Sequence, residues 1–361
     1  MMKRLLTILF TASTLFSCND NKPTPATIVN QPDTAALQFL TDKRVETLYI
    51  VFLFSDYPLL TPFPNSYKSD ALRYFNKYKN HKAVLLAKDL VQKGLVADYA
   101  VNWLFQHSDF PEFTRTRTVN FPFDIRPISS DSLELFRKEL IDFYTEAHCD
   151  SFFRSQDLFL NKMVDDVQDS FSRKDIVQVI ENYFGIKKTA TYYVVLAPLL
   201  HSGGFATERT DKDELSVLIG PGGVIDSFPK FDKAFLEQDL VIHEFSHNYS
   251  NPVVEQFMNE TKKFENKLFP AIKEKVKQEG YATWESFMLE LIVRATTIRI
   301  VENIYGAEAA KELTDYEKSV GFGYVVDIAD ELKIYESQRD KYTTLSEFYP
   351  NIIRRLGQIK K

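Results

Sequence analysis

Apolar residues recur at three- and four-residue spacing over His81 to Gly94, Ser132 to Ala147 and Asp150 to Ser170, which predicts helices through much of the first half of the chain. Elsewhere the pattern changes. Val45 to Phe54 (VETLYIVFLF) is rich in β-branched and aromatic residues and predicts a strand, followed by a loop broken at Pro58, Pro62 and Pro64. Further strands are predicted at Thr191 to Leu196 and at Leu215 to Ile219, the latter running into the turn Gly220-Pro221-Gly222-Gly223. From Phe231 onward helical spacing returns. One helix carries His243 and His247 and should stop soon after, at Asn251-Pro252, because a residue before proline disfavours the helical region. A second helix is predicted from about Pro252 to Lys277 and a third from Trp284 to Asn303, with more beyond a break at Gly321-Phe322-Gly323. Helices dominate and strands are few, so the fold class is α+β, with a small sheet ahead of the histidine-bearing helix. No internal repeat interrupts this linear order.

The N-terminus is set apart by its pattern. Lys3 and Arg4 precede an apolar stretch from Leu5 to Phe16, too short for a membrane span at roughly 20 residues, and together they form an export signal. Leu15-Phe16-Ser17-Cys18 then resembles the lipobox of bacterial lipoproteins, which implies lipidation of Cys18, and the polar, proline-bearing stretch after it suits a tether. The expected organisation is a signal peptide over 1–18, a flexible tether over 19–35, a mainly helical N-terminal lobe over 36–185 and a catalytic region over 186–361. Such a protein is exported and held to the bacterial cell envelope by its N-terminal lipid, facing the periplasm or the outside.

Composition narrows the function. With 361 residues, 44% hydrophobic and 14% aromatic, the chain can bury a large core. A net charge of -6 leaves no electrostatic footprint for nucleic acid. If Cys18 takes lipid, Cys149 stands alone and closes no intrachain disulfide. His148 beside it does not make a nucleophilic pair, since adjacent helical residues diverge, so Cys149 reads as a buried or loop cysteine.

Residues 241 to 251 read VIHEFSHNYSN, and His243-Glu244-Phe245-Ser246-His247 is an HExxH pattern. Side chains four apart on a helix share one face, so two imidazoles can converge on one zinc ion. Glu244 sits beside that face, where its carboxylate can take a proton from a water activated by the metal. A catalytic zinc needs a third protein ligand. No histidine follows His247, and Ser250 and Val253 stand where the extended metzincin form would need glycine and histidine, so a carboxylate is left. Most downstream glutamates lie among lysines, and Glu285 suits a helix start. Glu290 interrupts an apolar run on both sides, where a carboxylate is costly unless it meets a cation. Zinc is the sharper reading; an ion pair with Arg294, one turn on, is the plainer one, and both hold if Arg294 supports a ligating Glu290.

At these residues the chain resembles the gluzincins, thermolysin-like metallopeptidases whose third ligand is a glutamate on a later helix. HEFSHNYSNP, ESFMLELIVRATTIRI, GFGY and YESQRDKYTTLSEF look like segments of a family of exported bacterial proteins defined by a domain of unknown function. The resemblance is best over the C-terminal half; the glutamate motif departs from the NExxSD form, because Leu291-Ile292-Val293-Arg294 follows Glu290. It implies a zincin-like fold, a zinc centre of His243, His247 and Glu290, peptide or protein substrates, and Leu215 to Ile219 as a strand that takes an extended peptide along its edge. An ordinary core strand is the other reading of that segment. His201, Tyr324 and Tyr342 are possible oxyanion donors with no position fixed by sequence. The competing function is a surface-anchored binding lipoprotein with a structural or degenerate metal site. Glu244 discriminates, since a structural site needs no base.

Overall fold

The computed structural model describes residues 37–116, 128–173, 175–208, 214–233 and 236–360. The expected signal peptide, Cys18 and tether lie outside the described residues. The described chain is α+β: a short strand β1 (Leu37–Leu40) leads into α1 (Lys43–Phe52), α2 (Ser66–Phe75), α3 (Lys82–Gln92), α4 (Ala97–Leu104), α5 (Ser130–Glu146), α6 (Cys149–Ser170) and α7 (Ile176–Phe184). Strands β2 (Thr191–Leu196), β3 (Gly203–Glu208) and β4 (Glu214–Gly220) follow, then a small hairpin of β5 (Gly223–Ile225) and β6 (Phe228–Lys230). The remainder is helical: α8 (Val241–Gln256), several one-turn pieces between Met258 and Gln278, α9 (Trp284–Tyr305), α10 (Ala307–Ser319), α11 (Val325–Ser337) and α12 (Leu345–Gln358).

The segment predicted as a strand at Val45 to Phe54 is instead α1. Asp42 caps it by accepting from the Arg44 backbone N–H at 2.9 Å, and every residue from Arg44 to Phe52 is buried. A run buried on all sides shows no period, so strand and helix look alike in it, and the cap decides. The strand lies just upstream at β1, which pairs in parallel with β2 through Leu37 to Tyr192.

The four-stranded sheet has the order β1-β2-β4-β3, with β1, β2 and β4 parallel and β3 antiparallel to β4. This corrects the expectation for Leu215 to Ile219. β4 is an interior strand paired on both sides, and the edges belong to β1 and to β3, whose Ala206 faces Val217. The Gly203-Gly204 start hides β3 from a propensity reading. Gly220 at the end of β4 is needed for close approach: a Cβ there would sit 1.9 Å from the His201 carbonyl oxygen.

α8 runs four residues past Pro252, where the sequence predicts a stop. Val253 and Val254 are buried beyond the proline, and tertiary packing outweighs the lost backbone hydrogen bond. The continuous helix predicted from Pro252 to Lys277 is broken into short turns. α9 begins with a capping box of Thr283 and Ser286 and is buried along almost its whole length. It packs against α8, α10 and α11, while α8 rests on β3 and β4. The histidine helix is thus held between the sheet and a central buried helix.

Candidate metal centre

α8 and α9 are packed together, and their contact places three ligand-type side chains face to face. His243 and His247 lie four residues apart on α8, with their Nε2 atoms 3.2 Å from each other. From α9, Glu290 brings Oε1 to 3.3 Å from His247 Nε2 and Oε2 to 3.6 Å from His243 Nε2. All three are buried, at 6%, 2% and 2% exposure. A tetrahedral ion with bonds of about 2.0 to 2.1 Å requires its ligand atoms to be roughly 3.3 Å apart. The separations of His247 from His243 and from Glu290 Oε1 match that edge, and His243 lies slightly farther from the other carboxylate oxygen, so with a small adjustment these residues can hold a zinc-sized ion. They are the group of histidine, cysteine and acidic side chains among the described residues that converges in this way.

The surroundings prepare the donors. His247 Nδ1 lies 3.2 Å from Asn251 Oδ1. A proton on that nitrogen would leave Nε2 as the donor to a metal ion. Asn251 is in reach because it lies one turn on from His247 in α8. Burial drives the His243 pKa well below its ordinary value, against the pull of Glu290, so its ring is neutral and able to ligate. Burial alone would raise Glu290, but His247 and Arg294 outweigh it and hold the carboxyl down at about 2. Glu290 is therefore a carboxylate at any working pH.

Glu244 is 1% exposed, and its Oε2 accepts from the Ala206 backbone N–H on β3 at 2.9 Å. Burial first, then repulsion by Glu290, pushes its pKa well above the usual carboxylate range, and the Ala206 hydrogen bond opposes the shift. Arg294 donates from Nε to Glu290 Oε2 at 3.1 Å, from Nη1 to Glu317 Oε2, and from Nη2 to the Tyr281 hydroxyl at 3.3 Å. The ion pair and the three-residue convergence thus coexist. Glu317 on α10 is pushed up to about 7 by burial, with Arg294 pulling the other way. Glu285, the helix-start acid, pairs with Lys262 at 3.1 Å instead.

The three oxyanion candidates of the sequence are engaged elsewhere. His201 Nδ1 contacts the Ser202 carbonyl at 2.7 Å, Tyr324 donates to the Leu268 carbonyl at 3.1 Å, and Tyr342 packs edge-on against Phe348. Tyr281 is a buried tyrosine beside the group: its hydroxyl accepts from Arg294, and burial first, then Glu290, raises its pKa well above the ordinary value. Sequence reasoning missed it, as it missed Glu317 and the Ala206 N–H. None of the three carries a pattern: one follows a glycine in a loop, one lies in a polar helix, and one is a main-chain donor.

With this geometry established, comparison with known proteins adds a family. A family model described as a domain of unknown function (DUF4932) matches residues 119–355. The chain belongs to the DUF4932 family. The DUF4932 match spans His243, Glu244, His247, Glu290, Arg294 and Glu317, and leaves α1 to α4 outside it. No curated protein and no solved structure matches the chain.

Proposed function

We propose that this DUF4932 protein is a zinc-dependent metallopeptidase of the gluzincin type, with His243, His247 and Glu290 as ligands and Glu244 as general base. The observation that carries the reading is the convergence of two imidazole nitrogens and one carboxylate within reach of a single ion, beside an acid that a structural site would not need. Zinc in such a site supplies Lewis acidity and makes a nearby water nucleophilic at neutral pH. The chain's own residues do the rest. Glu244, oriented by Ala206, takes the proton of the attacking water and returns it to the leaving amine. β3, the edge strand beside α8, replaces β4 as the place where an extended peptide would align by strand addition. Lipidation at Cys18 would hold the enzyme at the envelope, with peptides or proteins outside the cytoplasm as substrates.

Metal analysis of the purified protein together with a peptide-library digest tests this reading. The expected result is about one zinc per chain and cleavage that disappears in Glu244→Gln while metal content persists. Metal-free protein after zinc reconstitution, or full cleavage by Glu244→Gln, would exclude it.

A further inference from the structure

We infer that Glu317, acting through Arg294, is a positioning residue for Glu290 and sets the charge of the buried centre so that it accepts a divalent cation; this rests on reading His243, His247 and Glu290 as ligands. Arg294 is fixed on every side. Its guanidinium lies 4.2 Å from the Phe322 ring centroid, and its donors go to Glu290, Glu317 and Tyr281. Arg294, Glu290 and Glu317 side chains are each 2–3% exposed. A planar fork claimed at both ends cannot swing, so Glu290 Oε2 is held and Oε1 stays turned to His247.

Charge gives the second reason. A dication beside the Glu290 carboxylate, with the Arg294 guanidinium in contact, makes a net positive buried group, and an uncompensated buried charge is costly. Glu317 is the second carboxyl on Arg294 and offsets the guanidinium's charge. Without it, Arg294 would turn its full charge on Glu290 and compete with the cation for the carboxylate. The rest of α10 shows that an acid is not needed here for surface solvation: Lys311 with Asp315 and Lys318 with Asp315 pair on its exposed side. A comparison pair exists on the same central helix. Arg299, five residues on from Arg294, is held by Glu336 of α11 at 2.6 Å and makes no contact with the ligands.

The test is zinc affinity of the full chain by competition with a chelating dye, and the visible spectrum of the cobalt-loaded protein, for wild type, Glu317→Gln, Arg294→Lys and Glu336→Gln. Circular dichroism of each metal-free variant verifies folding. Glu317→Gln and Arg294→Lys should each weaken zinc binding by about tenfold or more and alter the cobalt bands, with Glu336→Gln within about twofold of wild type. Arg294→Lys keeps the charge but not the fork, and it carries the test if Glu317→Gln does not fold. Unchanged affinity and spectrum in Glu317→Gln overturn the inference alone, as does an equal loss in Glu336→Gln, which would mean a general loosening of α9. Absence of zinc binding by wild type overturns both this inference and the metallopeptidase reading.

Discussion

Replacing Glu46 by glutamine probes the helical first half of the molecule independently of the metal centre. Glu46 lies on α1 at 1% exposure, and neither carboxylate oxygen has a partner in hydrogen-bonding geometry. Burial pushes its pKa from 4.5 up to about 8; the nearby Tyr67 hydroxyl favours the anion without reversing the shift, and Asp42 adds repulsion. The sign follows from which state binds the proton more tightly. Below pH 4.5 both folded and unfolded chains are protonated at Glu46 and no stability is lost. Between 4.5 and 8 the unfolded chain ionises while the folded one cannot, so stability falls as pH rises. Each pH unit in that window costs about 1.4 kcal/mol, which makes about 4 kcal/mol between pH 5 and 8. That is a large fraction of a total stability of about 5–15 kcal/mol. Glu46→Gln removes the titration, so urea unfolding should show its stability relative to wild type improving by about 4 kcal/mol from pH 5 to pH 8. Parallel pH profiles for the two proteins would refute the argument, whatever their absolute offset.

Three further outcomes are expected. Asn251→Ala should weaken zinc binding about tenfold in chelator competition, because His247 Nδ1 loses the acceptor that orients its ring; unchanged affinity would mean that the ring is held by packing alone. Burial raises the Cys149 thiol pKa, so a thiol reagent at neutral pH should label it only after denaturation, and rapid labelling of the native chain would contradict its burial. Combining Glu290→Leu, Arg294→Met and Glu317→Leu should abolish zinc binding yet leave metal-free stability equal or higher, whereas Arg294→Met alone should cost about 3–5 kcal/mol by stranding two buried carboxylates. A triple variant less stable than that single variant in urea would sink this reasoning.

How much of this was legible in the sequence depends on whether a feature is local. His243, Glu244 and His247 declare themselves because i and i+4 spacing fixes their convergence before any tertiary contact forms. Glu290 declares itself by interrupting the apolar run of α9, since a buried carboxylate needs a cation. The helices α3, α5, α6 and α9, and the strands β2 and β4, follow from periodicity. What failed was non-local. α1 is buried on all faces and so has no period, and the persistence of α8 beyond Pro252 depends on what Val253 and Val254 pack against. The place of β4 in the sheet depends on β3, a strand whose glycines suppress its signal. Glu317 reads as one more acid on a charged helix, and only the fold shows its carboxylate turned inward to Arg294.

The charges on α9 also bear on why the centre exists. From Ser286 to Val301 that helix is buried throughout, and Glu290, Arg294 and Arg299 are its ionisable members there. Each costs several kcal/mol to desolvate, and ion pairing recovers that cost only in part, so a helix selected for packing alone would carry leucine or methionine at these positions. Arg299 reaches Glu302 and Glu336, both more exposed than the ligands, and can be understood as tying α9 to α11 near the surface. Glu290 and Arg294 have no such outlet. Their partners are two histidines from α8, an acid from α10 and a tyrosine from a loop, all turned toward one small volume. Stability does not account for that convergence; the proposed function, a cation held beside Glu244, would.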